Sequence, residues 1–195
     1  FETIDEFLNK NVVYPVQSFT SRFQGTELVR FTVNPSGNLT DYTIINSVCK
    51  EMDKEVIKVL ELTNGMWQPG FVNGEVAAME REVSVVFSLH PSNDFVEMAK
   101  DYMKHGNKML FEKNNPKKAL KYYDSGINLL PNNETLLAAR GLCKYELGDE
   151  TGASRDWERL RIIAERNNSV PETENLADGF IAMRGYTKMK KTINK

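Results

Sequence analysis

The sequence predicts two structurally unrelated halves. The first is an α+β domain, a small antiparallel sheet packed with two helices; the second is an all-α helical-repeat domain. Three observations predict this. Val29, Phe31 and Val33, and again Val83, Val85, Phe87 and Leu89, place apolar side chains at alternate positions, the period-two pattern of half-buried strands. Residues 95–164 carry apolar side chains at helical spacing. Within that stretch Ala119 recurs as Ala153 and Tyr123 as Trp157, each 34 positions on, and self-similarity at such a period marks stacked helical pairs.

A chain of 195 residues accommodates two domains, each long enough to bury its own core. Its 41% hydrophobic and 27% charged residues are those of ordinary globular protein. No apolar run approaches the length of a membrane-spanning helix, and no signal peptide is visible. Because the chain opens at Phe1 rather than Met, a signal or membrane anchor is expected upstream of it. The net charge of −2 hides an asymmetry: residues 1–90 carry 12 acidic and 7 basic side chains, residues 91–195 carry 15 and 18. The stretch Arg184–Lys195 holds five basic residues and no acid. It reads as a helix end where cations complement the macrodipole, and no nucleic acid is expected. Cys49 and Cys143 match neither a metal spacing nor a redox pair, so two reduced thiols are expected.

In the first half, Ile4, Phe7 and Leu8 recur at helical spacing and predict a helix over 3–10, which Tyr14-Pro15 ends because the residue before proline is pushed out of the α region. Val29, Phe31 and Val33 form one strand, Pro35–Asn38 the turn, and residues 39–48 the returning strand. Met52, Val56, Val59 and Leu60 fall at i, i+4, i+7 and i+8, an amphipathic helix. Trp67 is large enough to fill the gap between helix and sheet, and its indole N–H needs a partner there. Asn73-Gly74 predicts a tight turn. Residues 83–89 form the last strand, and His90-Pro91 closes a domain over 1–91.

In the second half, Asp94 caps a helix that runs to Phe111. Asn114-Asn115-Pro116 breaks it, with Pro116 suited to the start of the next helix, which carries Ala119, Leu120, Tyr123, Ile127 and Leu130. A second pair follows Pro131: Leu136 to Leu147, a Gly148-Asp149 turn, then Ala153, Trp157 and Leu160 to Ala164. Two repeats thus occupy 92–170. A capping helix within about 173–192, burying Leu176, Phe180, Ile181 and Met183 and broken near Gly185, and a basic tail fill 171–195. Asp149, Glu150 and Asp156 read as a solvated helix start.

His90 and His105 lie in different halves without companion ligands, and the glycine-rich phosphate-binding and nucleophile-elbow motifs are absent from the sequence. No catalytic residue, cofactor or metal is expected, and function is sought in what the chain binds.

The residues from about 14 to 89 resemble the TonB C-terminal domain family. The resemblance rests on Tyr14-Pro15, Gly25, Val29-x-Phe31-x-Val33, Pro35-Ser36-Gly37, Met52-Asp53-x-Glu55-Val56, Trp67-x-Pro69-Gly70, Asn73-Gly74 and the strand Val83–Leu89, in that order. It implies a periplasmic or envelope protein of Gram-negative bacteria that takes a peptide, such as a segment of an outer-membrane transporter, as an added strand at the sheet edge. The implied edge is Arg81, Val83, Ser84, Val85, Val86, Phe87 and Leu89. An unpaired edge also allows a homodimer.

The second half resembles the tetratricopeptide repeat. Gly106, Ala119, Tyr123 and Pro131 carry the resemblance in the first repeat, with Gly126 in place of the usual alanine. Gly141, Tyr145, Gly148-Asp149, Ala153 and Trp157 carry it in the second. The first repeat has one residue more between Gly106 and Ala119, expected in the turn. The family's concave groove would be lined here by Met103, Asn107, Leu110, Ala138, Leu142 and Tyr145. Met103 and Leu142 stand where the carboxylate-clamping members need Lys and Asn, so that specialisation is excluded. Together the resemblances imply a non-enzymatic envelope adaptor that binds a peptide at the sheet and a second protein at the repeats. The alternative is the extracytoplasmic structural or regulatory end of a membrane-anchored transducer, its repeats only bracing the sheet.

Overall fold

A computed structural model describes residues 3–171, 176 and 178–194. The chain divides into two compact units, Phe1–Asn93 and Asp94–Lys195.

In the first unit, α1 (Ile4–Asn11) starts at a reciprocal cap in which Thr3 and Glu6 each satisfy the other's amide. Pro15 then serves as the N-cap of α2 (Val16–Thr20), a five-residue helix too short for its apolar period to show in sequence. The hairpin of β1 (Gly25–Val33) and β2 (Leu39–Asn46) follows. Its turn is shaped by the Asn34 side chain, whose Oδ1 accepts from the amides of Ser36 (2.9 Å) and Asn38 (3.0 Å). Gly37 completes it at φ +79°, and a Cβ there would lie 2.6 Å from the Trp67 carbonyl oxygen. Helix α3 (Lys50–Glu61) buries Met52, Val56, Val59 and Leu60, the four residues its period selects. Asn73 and Gly74, both at positive φ, link β3 (Gly70–Val72) to β4 (Glu75–Ala77), two strands too short to show an alternation. The last strand, β5 (Met79–Phe87), pairs antiparallel with β1, giving the sheet order β2-β1-β5.

The core of this unit joins Val29, Phe31, Val33, Val83, Val85 and Phe87 from the sheet to Leu8 and the apolar face of α3. Trp67 closes one end. Its ring meets Phe31 edge-on at 5.0 Å, and its Nε1 donates to Thr63 Oγ1 at 2.7 Å. Thr63→Val keeps the shape and removes that acceptor. It is expected to lower stability by about 1–3 kcal/mol, the cost of a buried unpaired donor. Urea denaturation followed by circular dichroism measures this; an unchanged midpoint would show that water satisfies the indole.

In the second unit, α4 (Phe95–Asn107) is capped by Asp94, whose Oδ1 accepts from Val96 and Glu97. It runs into a π-helical turn over Lys108–Glu112. Helices α5 (Pro116–Leu129), α6 (Glu134–Glu146) and α7 (Glu150–Asn167) follow, capped by Asn115, Asn133 and Asp149. The 34-residue period becomes a repeated contact: Tyr123 and Trp157 are both fully buried, and a Cβ on Gly106 or Gly141 would strike the Tyr123 or the Trp157 ring, respectively. The extra residue of the first pair is not in the turn. The π-helical turn absorbs it, as the Lys113 amide donates to Lys108 O five residues back (3.2 Å), which keeps Gly106 facing Tyr123.

Two further expectations are corrected. Asp156 is buried rather than solvated: it takes Arg140 on both oxygens (2.7 and 3.0 Å) and Lys144 at 2.9 Å, a charge cluster that ties α6 to α7. In the C-terminal segment the break falls at Gly185 as expected, between α8 (Asp178–Ile181) and α9 (Tyr186–Ile193), and the correction concerns the buried face. Leu176, Phe180, Met189 and Ile193 join the core, whereas Ile181 is 53% exposed. Residues 172–175 and 177 of the expected cap lie outside the described residues. Both cysteines are free thiols, and burial pushes that of Cys143 up to about 12.

Candidate functional site

Among the described residues β5 pairs with β1 alone, so it is an edge strand of its sheet. Its register runs from Gly25 opposite Phe87 to Val33 opposite Met79. Val83, Val85 and Phe87 are buried against the helices, while Ser84 and Val86 face outward, Val86 with 59% exposed. Arg81 lies within the strand rather than at its start, opposite Phe31. Glu82 is held by Arg30 at 3.1 Å. Leu89 does not belong to the edge. The strand ends at Phe87 because its partner β1 begins at Gly25, and the Leu89 amide donates instead to Gln24 Oε1 (3.4 Å).

Tyr14 closes the Phe87 end of the strand. Its ring stands edge-on to both Phe87 (5.3 Å) and Phe19 (5.4 Å), and its hydroxyl donates to the Phe23 carbonyl. Burial, with the Cys49 thiol nearby, pushes the Tyr14 hydroxyl upward. A depression of about 220 Å³ opens between this residue and the strand, lined by Leu8, Val12, Tyr14, Val86 and Ser88. Tyr14-Pro15 was legible in sequence as a helix stop, but its place beside the last strand was not.

Glu27 was not singled out by the sequence reading. It sits in β1 with its side chain buried, its Oε1 accepting from the Val48 amide at 2.7 Å. Burial and the neighbouring Asp53 push its carboxyl up to about 8, against the hydrogen bonds from Val48 and Cys49 that pull it down. The signal for it was present in the chain: an acid in the same alternating row as Val29, Phe31 and Val33.

The six residues expected to line a groove on the helical unit are only partly brought together on a surface. Ala138 and Leu142 are fully buried in the core, and Leu110 packs against that core. Tyr145 lies on Trp157 (5.8 Å) and beneath Lys188 of α9 (5.1 Å), and Gly185 approaches it so closely that a Cβ would come within 2.9 Å. The C-terminal segment therefore seals this part of the expected groove. Ion pairs from Arg184 to Glu146 (3.1 Å) and from Lys188 to Glu150 (2.6 Å) accompany it. What stays open is a cleft of about 710 Å³ between α4 and the start of α6, with Met103, Asn107, Phe111 and Leu136 in its lining and Lys100 and Lys104 on its wall. Asn107 is already engaged there, accepting from the Tyr123 hydroxyl at 2.9 Å.

No helix among the described residues is long and apolar enough to cross a membrane. Comparison with curated proteins and with solved structures gave no match. Residues 10–89 match the model of the family described as Gram-negative bacterial TonB protein C-terminal, and the match does not extend into the helical unit. The matched stretch is the sheet unit from the end of α1 to just past β5, and what the likeness shows is confined to it.

Proposed function

We propose that this chain is an envelope adaptor whose sheet unit takes a partner peptide as an added strand along β5. The observation that carries this reading is the combination of the family match over 10–89 with a last strand bonded on one side only. An extended peptide gains main-chain hydrogen bonds along such an edge, while its alternate side chains meet Ser84 and Val86 on one face and Arg81 on the other. An outer-membrane transporter segment is the partner the family match favours, and the same edge allows a second copy of the chain to pair there.

The helical unit reads as two tetratricopeptide repeats with a C-terminal cap. Its open cleft beside α4 is the surface for a second protein. The sealed positions Ala138, Leu142 and Tyr145 favour a competing role, in which the helical unit is structural and the chain is the extracytoplasmic end of a membrane-anchored transducer or regulator.

Cross-linking in the native envelope, with this chain as bait and mass spectrometry as readout, separates the two. Enrichment of an outer-membrane transporter that disappears when the β5 edge is blocked supports strand addition. Enrichment of inner-membrane proteins alone, unaffected by that block, refutes it and favours the structural role.

A further inference from the structure

Glu27 is the most anomalous side chain in the sheet unit. Val29, Phe31 and Val33 face the helices from β1, and Glu27 continues that row with 0% of its surface exposed. Charged residues are almost never so buried without a partner of opposite charge. Its Oε1 accepts from the amides of Val48 (2.7 Å) and Cys49 (3.4 Å), the two residues that lead into α3. Its Oε2 is buried and accepts from nothing. The same holds for Oδ1 of Asp53 in the first turn of α3, whose other oxygen accepts from Ser47 Oγ at 3.1 Å.

From α3 the titratable groups are Asp53 and the Cys49 thiol at its N-cap, which meets Ser18 Oγ of α2 at 3.1 Å. From β5 the residue opposite Glu27 is Val85, which is apolar. Among the described residues no Lys or Arg side chain bonds to either carboxyl. A carboxylate buried like that of Glu27, with the negative Asp53 beside it, is favoured in its protonated form by desolvation first and by like charge second. A proton on one oxygen also turns it into a donor for the other, which removes both unsatisfied acceptors at once.

We infer that buried Glu27 is a proton-binding site beside Asp53, that its proton latches residues 48–49 and the start of α3 onto β1, and that the latch is released when the proton leaves. The inference does not depend on the role of the β5 edge.

The sign follows from linkage. The folded chain holds the proton up to about pH 8, whereas an unfolded glutamate releases it near 4.5. The folded state therefore binds more protons across that window, and stability falls as pH rises from about 4.5 to about 8, then levels off. Below 4.5 the contribution of this group is fully present.

Carboxyl carbon NMR on the whole chain, isotopically labelled at Glu and Asp and titrated from acid to mildly alkaline pH, tests this directly. One glutamate is expected to titrate at least two pH units above the rest. Its signal should vanish in Glu27→Gln and move to lower pH in Asp53→Asn. The Val48 and Cys49 amides should lose exchange protection above the same midpoint in the native chain and keep it in Glu27→Gln. Should Glu27→Gln fail to fold, the titration of the native chain and of Asp53→Asn decides. Glutamates that all titrate in the ordinary carboxyl range overturn the inference, as does a high midpoint that Asp53→Asn leaves in place.

Discussion

Trp157→Ala is expected to destabilise the helical unit by about 3–5 kcal/mol, the range for removing a large buried aromatic side chain. Trp157 is fully buried on α7 and faces Gly141 on α6, with the Tyr145 ring 5.8 Å away. The cavity left by alanine would open onto a glycine, which has no side chain to move into it. Collapse is therefore limited, and the cost should lie toward the upper end of that range. Trp157→Phe should cost much less, because the indole Nε1 is buried without a hydrogen-bond partner and nothing polar is lost with it. Loss of ellipticity at 222 nm in urea follows mainly the helical unit, which holds most of the helix, with α1, α2 and α3 of the sheet unit contributing the rest. In the alanine variant Trp67 is the sole tryptophan, so its emission reports the sheet unit separately. A helical midpoint as high as the parent's would show that the repeated Gly–aromatic contact does not hold the unit together.

Proline within β5 is expected to separate peptide capture from folding. In an antiparallel strand successive amides point to opposite sides. Of Ser84 and Val85, one amide therefore bonds to β1 and the other points to the open edge. Proline at the outward amide is tolerated by an edge strand, since that donor has no partner within the sheet. It should reduce strand addition by tenfold or more, because it deletes a main-chain donor and inserts a ring where the peptide must approach. Proline at the inward amide should break the ladder to β1 and lower the unfolding midpoint instead. Fluorescence anisotropy with a labelled peptide from a cross-linked partner reads the first effect, and urea denaturation the second. If the variant with the intact midpoint still binds at parental affinity, strand addition at β5 is wrong.

Much of both units was legible residue by residue. The burial of Met52, Val56, Val59 and Leu60 followed from their spacing, as did the alternation of Val83, Val85 and Phe87, because a helix and a strand each bury one periodic face. Asn73-Gly74 announced its turn through the positive φ that both residues tolerate. The pairing of Gly106 with Tyr123 and of Gly141 with Trp157 was implicit in the 34-residue period. Other features had no local signature. The π-helical turn at Lys108–Glu112 is the answer of a packed helix to one inserted residue, which shifted Gly106 against Tyr123 by nothing. Asp156 resembled any acid near a helix start until Arg140 and Lys144 were brought to it from α6. The groove positions Ala138, Leu142 and Tyr145 were placed on the right helix, yet Ala138 and Leu142 are core residues and Tyr145 is covered by Gly185 and Lys188.

The sequence by itself determined the longer helices and strands, the turn at Asn73-Gly74, the resemblance of residues 14–89 and the repeat of the helical pairs. These are local or periodic properties, carried by side-chain spacing and by residues that permit special backbone angles. Only the tertiary structure decided that Arg81 lies within β5 and Leu89 outside it, that α9 covers Tyr145, and that Glu27 is buried with Asp53 beside it. Each of these depends on which distant groups come together, and a carboxyl group's protonation is set by those neighbours and by the water they exclude, neither of which is written at its own position.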